Sequence, residues 1–186
     1  TSLFPQSENK IQADIKVNLE ALLAGIGPEH QDTDDSPASM EYNRFRSMNP
    51  EELEQVFQGY TSEFLNQMQI RLNKLPIEKR LVQINIPELE DLELARSSVI
   101  VLEFPISPEI NRLDWKTNPE FGDHVIRLMN PEGEVVSTQW VRNGDRSPPL
   151  ILEGLPKHDS LERFMKYIEI GFTHILPKGL DHILFV

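Results

Sequence analysis

In the stretch KIQADIKV apolar and polar residues alternate, so that Ile11, Ala13, Ile15 and Val17 share one face. Period two predicts a half-buried strand, followed by a short apolar turn over Leu19 to Ile26. GPEHQDTDDSPASMEYNRFRS then breaks all periodicity; its Asp, Ser and Pro content reads as an inserted acidic loop over residues 28–47. At residue 48 the period changes again. Asn49 is placed as an N-cap, Pro50 as the first helical residue and Glu52 as the closing member of a capping box, with Met48 and Leu53 set for a hydrophobic staple. Leu53, Val56, Phe57, Tyr60, Phe64 and Met68 recur at steps of three and four, which predicts a long amphipathic helix over about residues 50–73.

From Arg80 the texture is that of strands. RLVQINI, SSVIVLEF, INRLDWKTN, DHVIRLM, EVVSTQWV and SPPLILEG are short, rich in β-branched or aromatic residues, and separated by Pro, Gly or Asn. Asn130–Gly133 and Asn143–Asp145 read as hairpin turns, because Gly and Asn tolerate the positive φ such turns need. These strands together with the first predict a mainly β (α+β) fold: an antiparallel β-sandwich, immunoglobulin-like in general architecture, with the long helix on an edge or face. After Asp159 the helical period returns. Leu161, Phe164, Met165, Ile168, Phe172, Ile175 and Leu176 keep one face apolar until Pro177 and Gly179 interrupt it. The organisation expected is one sandwich domain over residues 1–157 and a C-terminal amphipathic helix over 158–186.

Charge narrows the partners. Eighteen basic residues against thirty acidic ones give a formal net charge of −12, which repels the phosphates of a nucleic acid. There is no cysteine, so disulfides and thiolate metal sites are excluded. TSLFPQSENK carries neither the basic nor the apolar stretch of a signal peptide, and no apolar run approaches the ~20 residues that span a bilayer.

Candidate chemistry concentrates at the end of the chain, in FTHILPKGLDHILFV. At about 100° per residue His174 and Asp181 are nearly aligned on a helix, and His182 lies one step round. Two imidazoles and a carboxylate form a donor set suited to nickel, cobalt or zinc. The alternative is a capped helix end with surface histidines.

The same residues carry a resemblance. YIEIGFTHILPKGLDHILFV is similar to the opening of the membrane domain in the HupE/UreJ family of bacterial membrane proteins. The shared pattern is Gly-x-x-His-Ile followed by Gly-x-Asp-His-x-Leu-Phe, here Gly171, His174, Ile175, Gly179, Asp181, His182, Leu184 and Phe185. VNLEALLAGI, the DTDDSPASMEYNRFR loop and FGDHVIRL resemble, more loosely, the extracytoplasmic domain that precedes the membrane part in one branch of the family. The resemblance implies a periplasm-facing domain at the bacterial inner membrane, with its own membrane domain and the lipid bilayer as partners. It also implies a metal-recognition motif of His174, Asp181 and His182, and nickel or cobalt as the transported ion. Phe172, Ile175 and Leu176 would then stand at the membrane interface, and Ile183, Leu184 and Phe185 in the first third of a transmembrane helix. His174 is followed here by Ile175 and a six-residue interval, where the permeases have His-Pro and a shorter gap, so the cargo stays open. Set against this is a stand-alone interaction or structural domain, docking a protein partner or a second copy through its C-terminal helix.

Elsewhere the expectations are plainer. Glu29, His30, Asp32, Asp34 and Asp35 offer oxygen donors at alternate positions. The glycine and distal glutamate of a calcium loop are missing, so a solvated acidic loop is expected, with Ca2+ as the alternative. No Gly-x-Ser-x-Gly elbow, P-loop or His-Glu-x-x-His occurs, and no catalysis is expected. His124 reads as packed or surface-facing, Trp115 and Trp140 as core or cross-strand aromatics, and Arg142 and Arg146 as hairpin charge.

Overall fold

Alternation of buried with less buried positions is clearest along Lys10–Val17 and Met68–Leu72. The computed structural model describes residues 1–6, 9–27, 33–89 and 94–152. Ten strands occur among them: β1 (Ser2–Gln6), β2 (Lys10–Val17), β3 (Met68–Leu72), β4 (Leu75–Pro76), β5 (Arg80–Asn85), β6 (Ser98–Pro105), β7 (Arg112–Thr117), β8 (His124–Met129), β9 (Val135–Val141) and β10 (Leu150–Ile151). Three helices accompany them, α1 (Leu19–Ala24), α2 (Ser39–Arg46) and α3 (Pro50–Asn66). The strands form a six-stranded sheet in the order β5-β6-β2-β1-β8-β9 and a four-stranded sheet in the order β10-β7-β3-β4.

The two sheets close over one core, as expected of a sandwich. Leu3, Ile11, Ala13, Ile100, Leu102, Phe104, Ile126 and Leu128 come from the larger sheet; Ile70, Leu72, Leu113, Trp115 and Leu150 come from the smaller. α3 adds Leu53, Phe57 and Phe64, and lies against β3 and β5. Its start is as predicted: Asn49 Oδ1 accepts from the Glu52 N–H at 2.9 Å, and Glu52 Oε2 accepts from the Asn49 N–H at 3.0 Å. Of the staple residues, Leu53 belongs to the core cluster and Met48, partly buried, packs against it.

Four expectations need correction. The long helix stops at Asn66 rather than near residue 73, because Met68, Ile70 and Leu72 alternate with exposed or half-exposed residues and pair with β7 as a strand. Part of the presumed loop 28–47 is helical: Thr33–Asp35 form a 3-10 turn and α2 buries Tyr42, Phe45 and Arg46 at helical spacing. The sandwich is not wholly antiparallel. β1 folds back on β2, and its other edge pairs β8 in parallel through Ser2↔Arg127 and Leu3↔Leu128. Finally, Asn143–Asp145 make a turn but no hairpin. Among the described residues β9 pairs only β8, whereas β10 pairs β7, so this turn carries the chain from one sheet to the other. Gly144 is required there: its φ is +71°, and a Cβ would come within 2.6 Å of Pro119 Cγ.

One buried ion pair fixes the helices to the sheets. Arg96 Nε donates to Glu20 Oε1 at 2.5 Å, and both side chains are almost fully buried, 2% and 0% exposed. The remaining guanidinium nitrogens donate to the carbonyls of Met48 at 3.0 Å and Phe45 at 3.1 Å. Removing one partner of such a pair strands a charge in the interior. Arg96→Ala is therefore expected to destabilise the fold by ~3–5 kcal/mol in guanidinium unfolding. Asn49→Ala, which removes only a helix cap, is expected to cost ~1 kcal/mol in the same measurement.

Candidate functional site

At one end of the sandwich the two sheets leave a cleft of about 80 Å3. Strand periodicity decides what faces it. On β2, Ile15 and Val17 point inward on alternate positions; on β7, Trp115 and Thr117 do the same. β3 contributes Met68, held opposite Thr117 by the β3–β7 register. β8 opens with His124, and the 3-10 turn Pro119–Phe121 places Phe121 across the end. That turn is capped by Asn118, and its Phe121 ring packs 5.9 Å from Phe64 of α3 at a tilt. Trp115 is anchored through its backbone: its N–H donates to Ser147 Oγ at 3.0 Å, and its carbonyl accepts from the Ser147 N–H at 2.8 Å.

Three polar atoms of residues that line it are buried without a hydrogen-bond partner among the described residues: Trp115 Nε1, Thr117 Oγ1 and His124 Nε2. Trp115 is 1% exposed and Thr117 5% exposed. Burial of an unpaired polar group costs of order 1–3 kcal/mol, so three on one cleft are a departure that packing does not explain. His124 is also defined in its proton position. Its Nδ1 lies 3.1 Å from the Gly122 carbonyl, which only accepts, so Nδ1 carries the hydrogen. Burial pushes the imidazole pKa below its ordinary value of 6.5, against the opposing hydrogen bond to Gly122. The ring is thus neutral at physiological pH, and Nε2 is a bare acceptor.

A second polar cluster sits on the outer face of the smaller sheet. Asp114 accepts from Arg71 at 2.8 and 3.1 Å and from Arg146 at 2.7 Å, while Arg146 also donates to Gln69 at 3.0 Å. Burial acts to raise the Asp114 carboxyl, but the two guanidinium groups outweigh it and hold the pKa below its ordinary value. Arg146 is thus a structural ion-pair partner, and Arg142 stacks over Trp140 at 5.3 Å. Trp140 is 57% exposed and opposite Val125, a cross-strand aromatic rather than a core one.

The residues singled out from the sequence for metal chemistry fall elsewhere. His174, Asp181 and His182, with Phe172, Ile175, Leu176, Ile183, Leu184 and Phe185, lie outside the described residues, as do Glu29, His30 and Asp32. Asp34 and Asp35 fall in the 3-10 turn, with Asp35 exposed. Among the described residues no three His, Asp or Glu side chains gather to hold a metal ion, and no helix is long and apolar enough to cross a membrane. The cleft was only half visible in the sequence. Trp115 and Thr117 stand two apart and so share a face, but nothing local joins them to His124.

The depressed His124 pKa fixes a pH dependence. A neutral buried imidazole binds fewer protons than the unfolded chain, so its stability contribution is fully present above pH 6.5 and is lost as pH falls below 6.5 through the lower folded-state pKa. Thermal unfolding followed from neutral to mildly acidic pH is expected to show a decline beginning near the ordinary histidine pKa. That part of the decline is expected to disappear in His124→Gln, which does not titrate.

The chain matches no family model, and no curated protein or solved structure matches it significantly.

Proposed function

We propose that this chain is a non-catalytic, extracytoplasmic binding domain of a HupE/UreJ-like membrane protein, facing the periplasm at the bacterial inner membrane and linked to nickel or cobalt uptake. The observation that carries the reading is the pattern Gly171-x-x-His174-Ile175 followed by Gly179-x-Asp181-His182-x-Leu184-Phe185. It follows in sequence a sandwich whose last described strand ends at Ile151. Three features agree with it. The net charge of −12 concentrates cations near the surface. Two imidazoles and a carboxylate suit a borderline divalent ion. Ionisable groups followed by an apolar run suit a helix that lines a protein interior within a bilayer.

A second reading, a partner-docking or dimerising sandwich with no metal role, is favoured by one observation. The edge strand β9 leaves Val135, Val136 and Trp140 each more than half exposed. The two readings part at the gene. The first expects the reading frame to run past Val186 into further apolar helices, and the second expects a stop or a polar tail.

Calorimetric titration of the chain with nickel, cobalt, zinc and calcium tests the metal role. Saturable heat with nickel or cobalt is expected, weakened at least ~10-fold in His174→Ala, since loss of a ligand costs no less than loss of its supporting shell. No heat with any of the four ions overturns the metal assignment.

A further inference from the structure

Among the described residues each sheet ends in two edge strands, and three of the four are blunted. β4 and β10 are two residues long; β4 contains Pro76, and β10 follows Pro148 and Pro149. β5 carries Arg80, which donates to Glu103 at 2.8 Å, and α3 lies against it. Brevity, proline, charge and a covering helix are the usual means of keeping an open edge from pairing with another chain. Among the described residues β9 has none of them: VVSTQWV is seven residues long, uncharged and without proline. Its bulge is confined to the N-terminal end, and Ser137–Val141 pair regularly with β8. β10 approaches β9 from the other sheet but bonds to β7. The outward side of β9 is legible through β8. The Arg127 N–H donates to the Thr1 carbonyl, and the Val125 carbonyl accepts from the Thr1 amino group, both at 2.9 Å, so these residues turn their backbones toward β1. Their antiparallel partners Thr138 and Trp140 accordingly turn N–H and C=O away from β8, where no described strand pairs.

We infer that β9 pairs antiparallel with β9 of a second copy of this chain across a two-fold axis at Thr138, joining the six-stranded sheets of the two copies edge to edge. Backbone pairing alone would accept any extended strand; the residues around Thr138 select a copy of this one. A two-fold axis sets residues equally far from Thr138 opposite each other, and each contact occurs twice. Exposed Glu134 stands four residues before Thr138 and exposed Arg142 four after it, so the carboxylate of each copy falls opposite the guanidinium of the other. Neither is in an ion pair among the described residues: Glu134 accepts from the Asn130 amide at 2.9 Å, and Arg142 lies over the Trp140 ring. Trp140 of one copy falls beside Val135 and Val136 of the other, covering three side chains that are each more than half exposed. Charge does not oppose the contact. β9 itself is uncharged, and Arg127, the cation beside Thr138, would stand three strand spacings, ~14 Å, from its copy, beyond the ~8–10 Å range of screened repulsion. The inference gives the docking reading of β9 its partner and uses no residue of the tail, so it and the metal role fail separately.

No cysteine occurs in residues 1–186, so Thr138→Cys gives each chain one thiol. On the axis the two thiols stand opposite each other at a Cα separation of about 5.5 Å, within disulfide reach. Copper–phenanthroline oxidation is expected to link Thr138→Cys into a dimer on non-reducing gels, and to leave Gln58→Cys, exposed on α3, unlinked. In sedimentation velocity the unsubstituted chain is expected to shift from monomer to dimer as its concentration rises. Arg142→Glu is expected to weaken that dimer about tenfold, because two attractive cross-strand pairs become repulsive. The double substitution Glu134→Arg with Arg142→Glu is expected to restore it. A chain that stays monomeric at every concentration overturns the assignment and leaves the edge to a different protein. A dimer that Thr138→Cys does not link and Arg142→Glu does not weaken overturns it as well.

Discussion

A guanidinium can be taken out of water only where acceptors replace the hydration it loses, and Arg96 gains three, one at each nitrogen, by joining segments far apart in the chain. Glu20 brings the start of α1 to it, and the carbonyls of Phe45 and Met48 bring the junction between α2 and α3. Met48 directly precedes the cap at Asn49, so Arg96 is tied to the residue next to the start of α3. Everything α3 then buries follows from that start, down to Phe64, whose ring packs on Phe121 at the end of the sandwich. The polar cleft thus owes one of its walls to an ion pair that itself contains no cleft residue.

The cleft follows a different logic from the core it adjoins. Along β7, Leu113, Trp115 and Thr117 turn the same way, so the strand passes from purely apolar burial to burial of polar atoms within four residues. In the core the alternation of the strands suffices, because methyl groups ask nothing of their neighbours beyond volume. At the end of the sandwich an indole N–H, a hydroxyl and an imidazole nitrogen each require a partner, and the described residues do not provide one. The contrast with Asp114 is instructive, since on the opposite face of the same strand two guanidinium groups answer one carboxylate.

Most strands were legible because period two is a local signal, and the start of α3 was legible because a cap, a proline and a capping glutamate fall within the four residues Asn49–Glu52. Where the reading failed, a local rule met a nonlocal one. Pro5 argues against a strand, yet β1 holds it: β8 pairs only Ser2 and Leu3, so the missing N–H breaks no bond on that side. Met68 fits the helical stripe of α3 and the inward face of β3 equally well, and pairing with Thr117 decides between them. The Asn-Gly turn at 143–144 was legible as backbone geometry but not as topology, because the strand it feeds joins the other sheet. For the cleft, residue types were visible and their convergence was not. The tail motif is the reverse case, legible as a pattern of residues and not as geometry.

The account joins a folded sandwich to a tail whose His and Asp residues resemble those at the head of a membrane domain, and its central claim is the side of the membrane on which the sandwich stands. Residues 1–186 contain no cysteine, so Gln58→Cys, at an exposed position of α3, adds one label site to the sandwich, read against the unsubstituted gene product. Intact cells expressing the natural gene with this substitution, treated with a membrane-impermeant maleimide, read the topology directly. Labelling without lysis is the result predicted; labelling that appears only after the cells are broken would contradict the account.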